Sequence, residues 1–429
     1  MKVVNTPPRE GWSTLLRRPT QKFKKIEKIV SPILKKVRKK GDKALRQFAL
    51  EYDSVELHEL AVSEAELAAA REQVDEKLKE AIGVAKANIE KFHQAQRTAV
   101  LEVETMPGVW CQRRSVPINK VGLYIPGGTA PLFSSVLMLG VPAILAGCQE
   151  VVLCTPPNRL GSVHPAILYT ADLIGIRQIF KVGGAQAIAA MAYGTESVPQ
   201  VYKIFGPGNQ YVTVAKQLVG KNGTAIDLPA GPSEVAVLAD ETAHPDFVAA
   251  DLLSQAEHGI DSQVVLVSTD ATLVDNVQAA LARQLETLPR QEIAQSALDN
   301  SVAIVVHDLA EAYALLNEYG AEHLIIATTD PHHAIDHIVN AGSVFLGHYT
   351  PESAGDYASG TNHTLPTNGV AKAYSGVSLD SFVKKITYQE ITPAGLQRLG
   401  PHVAVMAEAE ELVAHQRAVT LRLDQLKNE

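Results

Sequence analysis

The chain has 429 residues, 46% hydrophobic and 20% charged, enough for two or three domains with sizeable cores. Its net charge, 39 − 47 = −8, argues against a general attraction to nucleic acid or anionic membrane. Three cysteines (Cys111, Cys148, Cys154) point to a reducing compartment, residues 1–16 lack a signal-peptide apolar run, and the most apolar stretch, 136–148, is too short and too broken by Gly140 and Pro142 to cross a bilayer, so a cytoplasmic enzyme is the leading class.

The first hundred residues read as helical. Between Lys22 and Arg46 stand eleven basic residues and two acids, Glu27 and Asp42. Ile26, Ile29, Val30, Ile33, Leu34 and Val37 recur at helical spacing, so the lysines read as the solvated face of an amphipathic helix rather than a nucleic-acid footprint. A second helix opens on the capping box Ser63-x-x-Glu66 and runs to about Gln96. From Val121, strands at 121–125, 150–155, 178–182 and 201–205 alternate with helices: one after the first glycine turn, others near 164–175, at 185–193 and at 211–219. A second set has strands at 234–239, 263–268, 301–307, 323–327 and 343–346, separated by helices at 246–258, 271–288, 309–319 and 334–340. This alternation predicts an α/β fold of two Rossmann-like parallel-sheet units with helical N-terminal and C-terminal extensions. The expected division is an N-terminal arm at 1–20, one domain at 21–120 plus 236–376, a second at 121–235, and a helical tail at 377–429. Two helices are expected in that tail, the second from 403 to about 426, with no sheet left for them to cover.

Three glycine-rich turns sit where a strand hands over to a helix: Pro126-Gly127-Gly128, Gly183-Gly184-Ala185-Gln186 and Gly206-Pro207-Gly208-Asn209. Backbone N–H groups at such turns favour phosphate. None matches G-x-G-x-x-G, because Tyr211 stands where the third glycine belongs, and tight turns need glycine anyway. A nucleotide site and plain turn chemistry are therefore equal readings. Tyr124, Gln186 and Asn209 are the polar groups that would stand beside a nucleotide.

The expected helix at 246–258 ends Gln255-Ala256-Glu257-His258-Gly259. Gln255 and His258 share a face and can point at one ion, but spacing alone favours His258 as a cap on the helix dipole. Glu257 points elsewhere. Glu322-His323 starts a strand, and a carboxylate beside an imidazole is raw material for acid–base work; a solvent-facing turn pair is the plainer alternative. The loop at 351–363 is polar and glycine-rich without low complexity, which favours function, with Asp356 a candidate ligand and His363 a candidate support. His332, His333 and His337 form a rival cluster that reads as a solvated face, and the cysteines lack the basic neighbours of reactive thiols.

Five segments carry a resemblance: Gly183-Gly184-Ala185-Gln186-Ala187-Ile188, Phe205-Gly206-Pro207-Gly208-Asn209, Leu228-Pro229-Ala230-Gly231-Pro232-Ser233-Glu234, Ser254-Gln255-Ala256-Glu257-His258-Gly259 and Gly355-Asp356-Tyr357-Ala358-Ser359-Gly360-Thr361-Asn362-His363. With Glu322-His323-Leu324, Ala414-His415 and Ala418-Val419-Thr420-Leu421, they resemble histidinol dehydrogenase, in order and over nearly the whole chain. The resemblance implies oxidation of L-histidinol through L-histidinaldehyde to L-histidine in two NAD-dependent steps, the end of histidine biosynthesis. It implies one Zn²⁺ per subunit on Gln255, His258, Asp356 and His415. Ser233, His323, Asp356 and Glu410, with the metal ligands, would contact substrate; Tyr124, Gln186 and Asn209 would contact NAD; Glu322 and His323 would accept protons. It also implies a homodimer in which the tail carrying Glu410 and His415 reaches the partner's site.

The chemistry suits these residue types. Removing hydride from an alcohol needs a base for the hydroxyl proton, and a neutral imidazole serves. An aldehyde has no hydroxyl proton, so water must add first, activated by a carboxylate. The substrate's imidazole and amine are good zinc ligands, so the ion would orient substrate. Three rivals stay open at this stage: a zinc hydrolase using Glu322, an aldehyde dehydrogenase using a cysteine thioester, and a nucleotide-binding module without catalysis.

Overall fold

A computed structural model describes residues 1–19, 23–127, 130–228 and 231–428. Gly128 of the first glycine turn and Pro229-Ala230 of the Leu228–Glu234 segment lie outside the described residues, as does Lys22 of the basic stretch. The N-terminal third holds β1 (Lys2–Asn5), β2 (Leu101–Met106) and β3 (Val109–Pro117). The first strand–helix set holds β4 (Lys120–Tyr124), β5 (Glu150–Thr155), β6 (Gln178–Lys181), β7 (Lys203–Phe205) and β8 (Ala225–Ile226). The second holds β9 (Glu234–Ala239), β10 (Gln263–Ser268), β11 (Val302–Val305), β12 (His323–Ala327) and β13 (Ser343–Leu346), and β14 (Val383–Ile391) opens the tail.

Strands β4–β8 form a parallel sheet in the order β6-β5-β4-β7-β8. Strands β9–β13 repeat that order as β11-β10-β9-β12-β13, and β1 adds itself in parallel beyond β11. The fold is therefore mixed α/β with two parallel sheets of one plan, and the N-terminal arm is partly a sixth strand. Successive residues feed opposite faces: Val152 and Cys154 enter one core of the first sheet, Val151 and Leu153 the other. The second sheet behaves alike, with Val235 and Val237 on one side and Ala236 and Leu238 on the other.

Four departures from the sequence reading have physical causes. The helix Phe23–Tyr52 buries Ile26, Val30, Ile33, Leu34 and Val37 against the first sheet's helices, while Ile29 is exposed. The lead-in thus covers the sheet of 121–235, not that of 236–376, because a parallel sheet needs both faces covered and the second sheet's own helices already do so. The capping box at Ser63 forms, but the helix it starts stops at Gln73 and a second runs Glu76–Gln94, capped by Asp75. The expected helix at 334–340 is a 3-10 segment at Pro331–Asp336, since the Asn317 side chain takes the N–H groups of Val339 and Asn340. The tail does have a sheet: β14 pairs antiparallel with β3, which pairs with β2.

By compactness the chain forms two units, Met1–Gln96 with Ile118–Phe382, and Arg97–Pro117 with Val383–Glu429. The smaller holds the three-stranded sheet and the helices Pro393–Ala409 and Val413–Asn428, which meet where Gly400 faces Val419 and Leu423. Among the described residues no helix is long and apolar enough to cross a membrane.

Candidate active site

At the first sheet the polar groups follow the strands. Tyr124 ends β4, buried, and its hydroxyl accepts the Gly184 N–H at 3.0 Å. Burial pushes its pKa up to about 12, so it stays a neutral phenol. Gly184 has φ +62 and opens the helix Gly184–Tyr193, and a Cβ there would meet the Gln186 amide at 2.9 Å. Asn209 is exposed and caps the helix Gln210–Gly220, its Oδ1 accepting the Tyr211 N–H at 3.0 Å. The starts of the helices Gly184–Tyr193 and Gln210–Gly220 thus stand at the carboxyl ends of β6 and β7, on either side of the β5–β4 pair, and a helix N-terminus is a place that receives phosphate.

At the second sheet the polar groups precede the strands. Glu322 and His323 stand at the amino end of β12, both buried. The helix Glu352–Tyr357 turns back, so Glu352 and Asp356, one turn apart, both approach His323. His323 Nδ1 lies 3.7 Å from Glu322 Oε2 and 3.5 Å from Glu352 Oε1, and its Nε2 lies 3.3 Å from Asp356 Oδ1. Each of His323 Nε2, Glu352 Oε2 and Asp356 Oδ1 is buried without a hydrogen bond. Ligand atoms of these three residues fall within 4.8 Å of one another, the spacing of a cation site.

Burial works to lower the His323 pKa, but Glu352, Glu322 and Asp356 outweigh it and push it up to about 10. Burial raises Glu322 to about 8 and Glu352 to about 8. Burial also works to raise Asp356, yet the rings of His323, His363 and His258 bring it below the usual carboxylate range. Three carboxyl groups crowd one imidazole in a dry place, two of them with raised pKa values, and the orphaned acceptors there fit a cation, whose charge would favour their ionised forms.

The Gln255 amide is fully buried at the end of the helix Pro245–Ala256. In the orientation that satisfies both its ends, it donates to Glu352 Oε1 at 2.8 Å and accepts the Glu234 N–H at 2.8 Å. His258 lies just beyond that helix end, on the exposed side; surrounding protein lowers its pKa, against the pull of the Asp356 charge. Ser233 precedes β9 in a crevice with Arg18, Glu234 and Asn368. His363 donates to the Asp356 carbonyl through Nδ1 at 2.9 Å while Nε2 meets Ser135 Oγ at 3.1 Å, tying the loop to the helix Phe133–Ala146.

The structure therefore gathers Gln255, Glu322, His323 and Asp356, with His258 within electrostatic reach, and separately gathers Tyr124, Gln186 and Gly184. Glu410 and His415 are exposed residues of the smaller unit. Glu352 was missed among the site residues. Its only sequence signal was membership of the polar loop at 351–363. The rival cluster is a surface feature: Tyr313 stacks on His337 at 5.2 Å and its hydroxyl meets His333 at 3.3 Å. Cys148 and Cys154 are buried, with both thiol pKa values raised by burial, so neither suits a thioester mechanism.

Comparison with known proteins shows the family. The family profile of histidinol dehydrogenase matches residues 16–423. The histidinol dehydrogenase of Bacteroides thetaiotaomicron is 58% identical over 427 residues, 100% of both chains. That of Pectobacterium atrosepticum is 52% identical over 97% of this chain and 94% of its own. A crystal structure of histidinol dehydrogenase from Elizabethkingia anophelis superposes with a TM-score of 0.97 at 53% identity, covering 100% of this chain and 99% of that one. With matches of that extent spanning both sheets and the tail, the chain belongs to the histidinol dehydrogenase family of oxidoreductases.

Proposed function

We propose that this protein oxidises L-histidinol through L-histidinaldehyde to L-histidine, the last step of histidine biosynthesis, with NAD at the first sheet and one Zn²⁺ per subunit at the second. The observation that carries the reading is the buried cluster of His323, Glu322, Glu352 and Asp356 with its orphaned acceptors. Gln255, His258, Asp356 and His415 would hold the ion, which supplies a positive centre for the substrate's imidazole and amine nitrogens. The geometric triad shares only Asp356 with that set. In this reading His323 faces the ion's site as the base and Glu352 as a charge partner. NAD supplies the acceptor for two successive hydrides, with Tyr124, Gln186 and Asn209 beside it.

In the first half-reaction His323 takes the substrate's hydroxyl proton on Nε2, the ring nitrogen left without a hydrogen bond. Positive charge brought into the cluster by ligands relieves the carboxylates of their need for a proton on this ring, which frees it to act as base. In the second, Glu322 removes a proton from water as it adds to the aldehyde, and His323 takes the proton of the resulting diol. Ser233 and Glu410 would hold substrate polar groups. A cytoplasmic location goes with the reading, in keeping with free cysteines.

The reading extends to a homodimer whose tails complete each other's sites. Exposed Glu410 and His415, in a unit outside both parallel sheets, support it. The test of the activity is NADH formation from histidinol and NAD before and after chelation: loss of turnover with retained NAD binding is expected, and unchanged turnover in metal-stripped protein overturns the ion's role. The exchange has its own test, refolding His258→Ala together with His415→Ala. Action in trans restores about a quarter of sites through mixed dimers, and action in cis leaves background.

A further inference from the structure

Beneath the third glycine turn of the first sheet lies a buried ion pair that the reaction itself does not use. The side chains of Lys216 and Asp227 are 4% and 1% exposed and are in direct contact. Lys216 Nζ donates to the Gly206 carbonyl at 2.9 Å, and Asp227 Oδ2 accepts the Gly206 N–H at 2.8 Å. Asp227 Oδ1 also accepts the Leu228 N–H at 2.7 Å. The two ends of one ion pair therefore hold both polar backbone groups of Gly206. That residue has φ +127, and a Cβ there would stand 2.1 Å from the Tyr124 carbonyl, so nothing larger than glycine fits. Tyr124 in turn accepts the Gly184 N–H. Ion pair, Gly206, Tyr124 and Gly184 form one line of contact across the strand ends.

Burying an ion pair costs desolvation that apolar packing avoids, so its presence calls for work that apolar side chains cannot do. Here that work is to satisfy and orient a peptide whose groups no strand partner takes. The turn it fixes leads into Asn209 and the start of the helix Gln210–Gly220.

We propose that Lys216 and Asp227 are positioning residues for the dinucleotide: they lock Gly206 so that Asn209 and the helix start meet the cofactor. This rests on the reading that NAD binds at the first sheet. The test uses the metal-loaded enzyme with Lys216→Met. The NAD dissociation constant and KM are expected to rise roughly tenfold or more, as loss of a charge-assisted hydrogen bond implies. The KM for histidinol and the zinc content are expected to hold, with kcat at saturating NAD within about twofold. A merely structural pair would lower the melting temperature and the active fraction while leaving the NAD constants unchanged, and that result overturns the proposal. Lys216→Arg and Asp227→Asn keep part of the grip; they are expected to give smaller rises, and they carry the test should Lys216→Met not fold. Asn209→Ala separates the two levels. If it leaves NAD binding unchanged, the cofactor reading fails. If it weakens NAD while Lys216→Met does not, the positioning role alone fails.

Discussion

In the sheet centred on β4 the polar groups come after the strands: Tyr124 closes β4, Gly183-Gly184 follow β6, and Gly206 follows β7. In the sheet centred on β9 they come before: Ser233 precedes β9, Glu322 precedes β12 and His323 opens it. Both sheets have the same strand order, and the general rule places ligands at the carboxyl ends of such strands. With the sites proposed above, the first sheet would obey that rule and the second would not. The difference has an electrostatic content. Carboxyl ends of strands meet helix starts, whose free N–H groups and positive dipole suit phosphate. Amino ends meet helix finishes, here that of the helix Pro245–Ala256, and the negative end of a helix dipole suits positive charge. One topology, used from opposite ends, thus offers one surface for an anionic cofactor and one for a cationic substrate or ion.

The largest effects are expected at the second sheet. His323→Asn should slow the alcohol step by ~10²–10⁴, and Glu322→Gln should slow oxidation of histidinaldehyde by a similar factor while sparing the alcohol step more. Single-turnover measurements from each starting substrate distinguish the steps. The NAD dissociation constant should stay put in both variants. Equal damage to both steps by both variants would remove the division of labour, and a large change in NAD affinity would break the separation of the two ends.

A smaller, opposite pattern is expected at the first sheet. Gly206→Ala forces a methyl into the Tyr124 carbonyl at a positive φ, strain of about 1–3 kcal/mol. The KM for NAD should rise roughly tenfold, with the histidinol KM changed far less. Gly220→Ala is the control, since a Cβ there meets nothing within 4 Å. Steady-state kinetics with each substrate varied in turn decide it. A parallel rise in both constants would mean that the two ends are not separate.

How much of this is legible in the sequence follows from which contacts are local. The parallel strands show as short apolar runs because both their faces are covered, as for β9 and β10, buried throughout. Strands β2, β3 and β14 do not, because they are largely exposed and β3 pairs with residues some 270 positions away. The glycine turns and the Glu322-His323 pair were visible as local motifs. What gathers around them was not. Glu352 looks like one more polar residue of the loop at 351–363 and is 1% exposed because the helix it starts folds back on His323. Lys216 carries no local signal of its role, because Asp227 and Gly206 meet it only in the fold. His363 showed as a support, but its bond to Ser135 depends on the meeting of the two sheets' loops and helices.

The smallest expected effect lies at that meeting, where the loop carrying Asp356 leans on elements of the first sheet. Asn362 Nδ2 donates to the Met138 carbonyl at 2.6 Å and approaches His93 Nε2 at 3.5 Å. His93 is fully buried, and its Nδ1 meets the Ile89 carbonyl at 2.9 Å. Burial lowers its pKa from 6.5, against the small upward pull of that carbonyl. A histidine with a lowered folded pKa binds more protons in the unfolded chain, so stability from this group is fully present above pH 6.5 and is lost as pH falls through its folded value. Urea unfolding between pH 7.5 and 5 should therefore show wild type losing more stability than His93→Gln, which cannot titrate there. The same comparison on NAD affinity should show no pH-dependent difference between the two proteins, because His93 contacts the loop of the second sheet and not the glycine turns. A matching slope in stability for both proteins would show that protonating His93 does not loosen this joint. A divergence in NAD affinity instead would show that the joint transmits to the first sheet's end, and the two ends would then have to be treated as one coupled site.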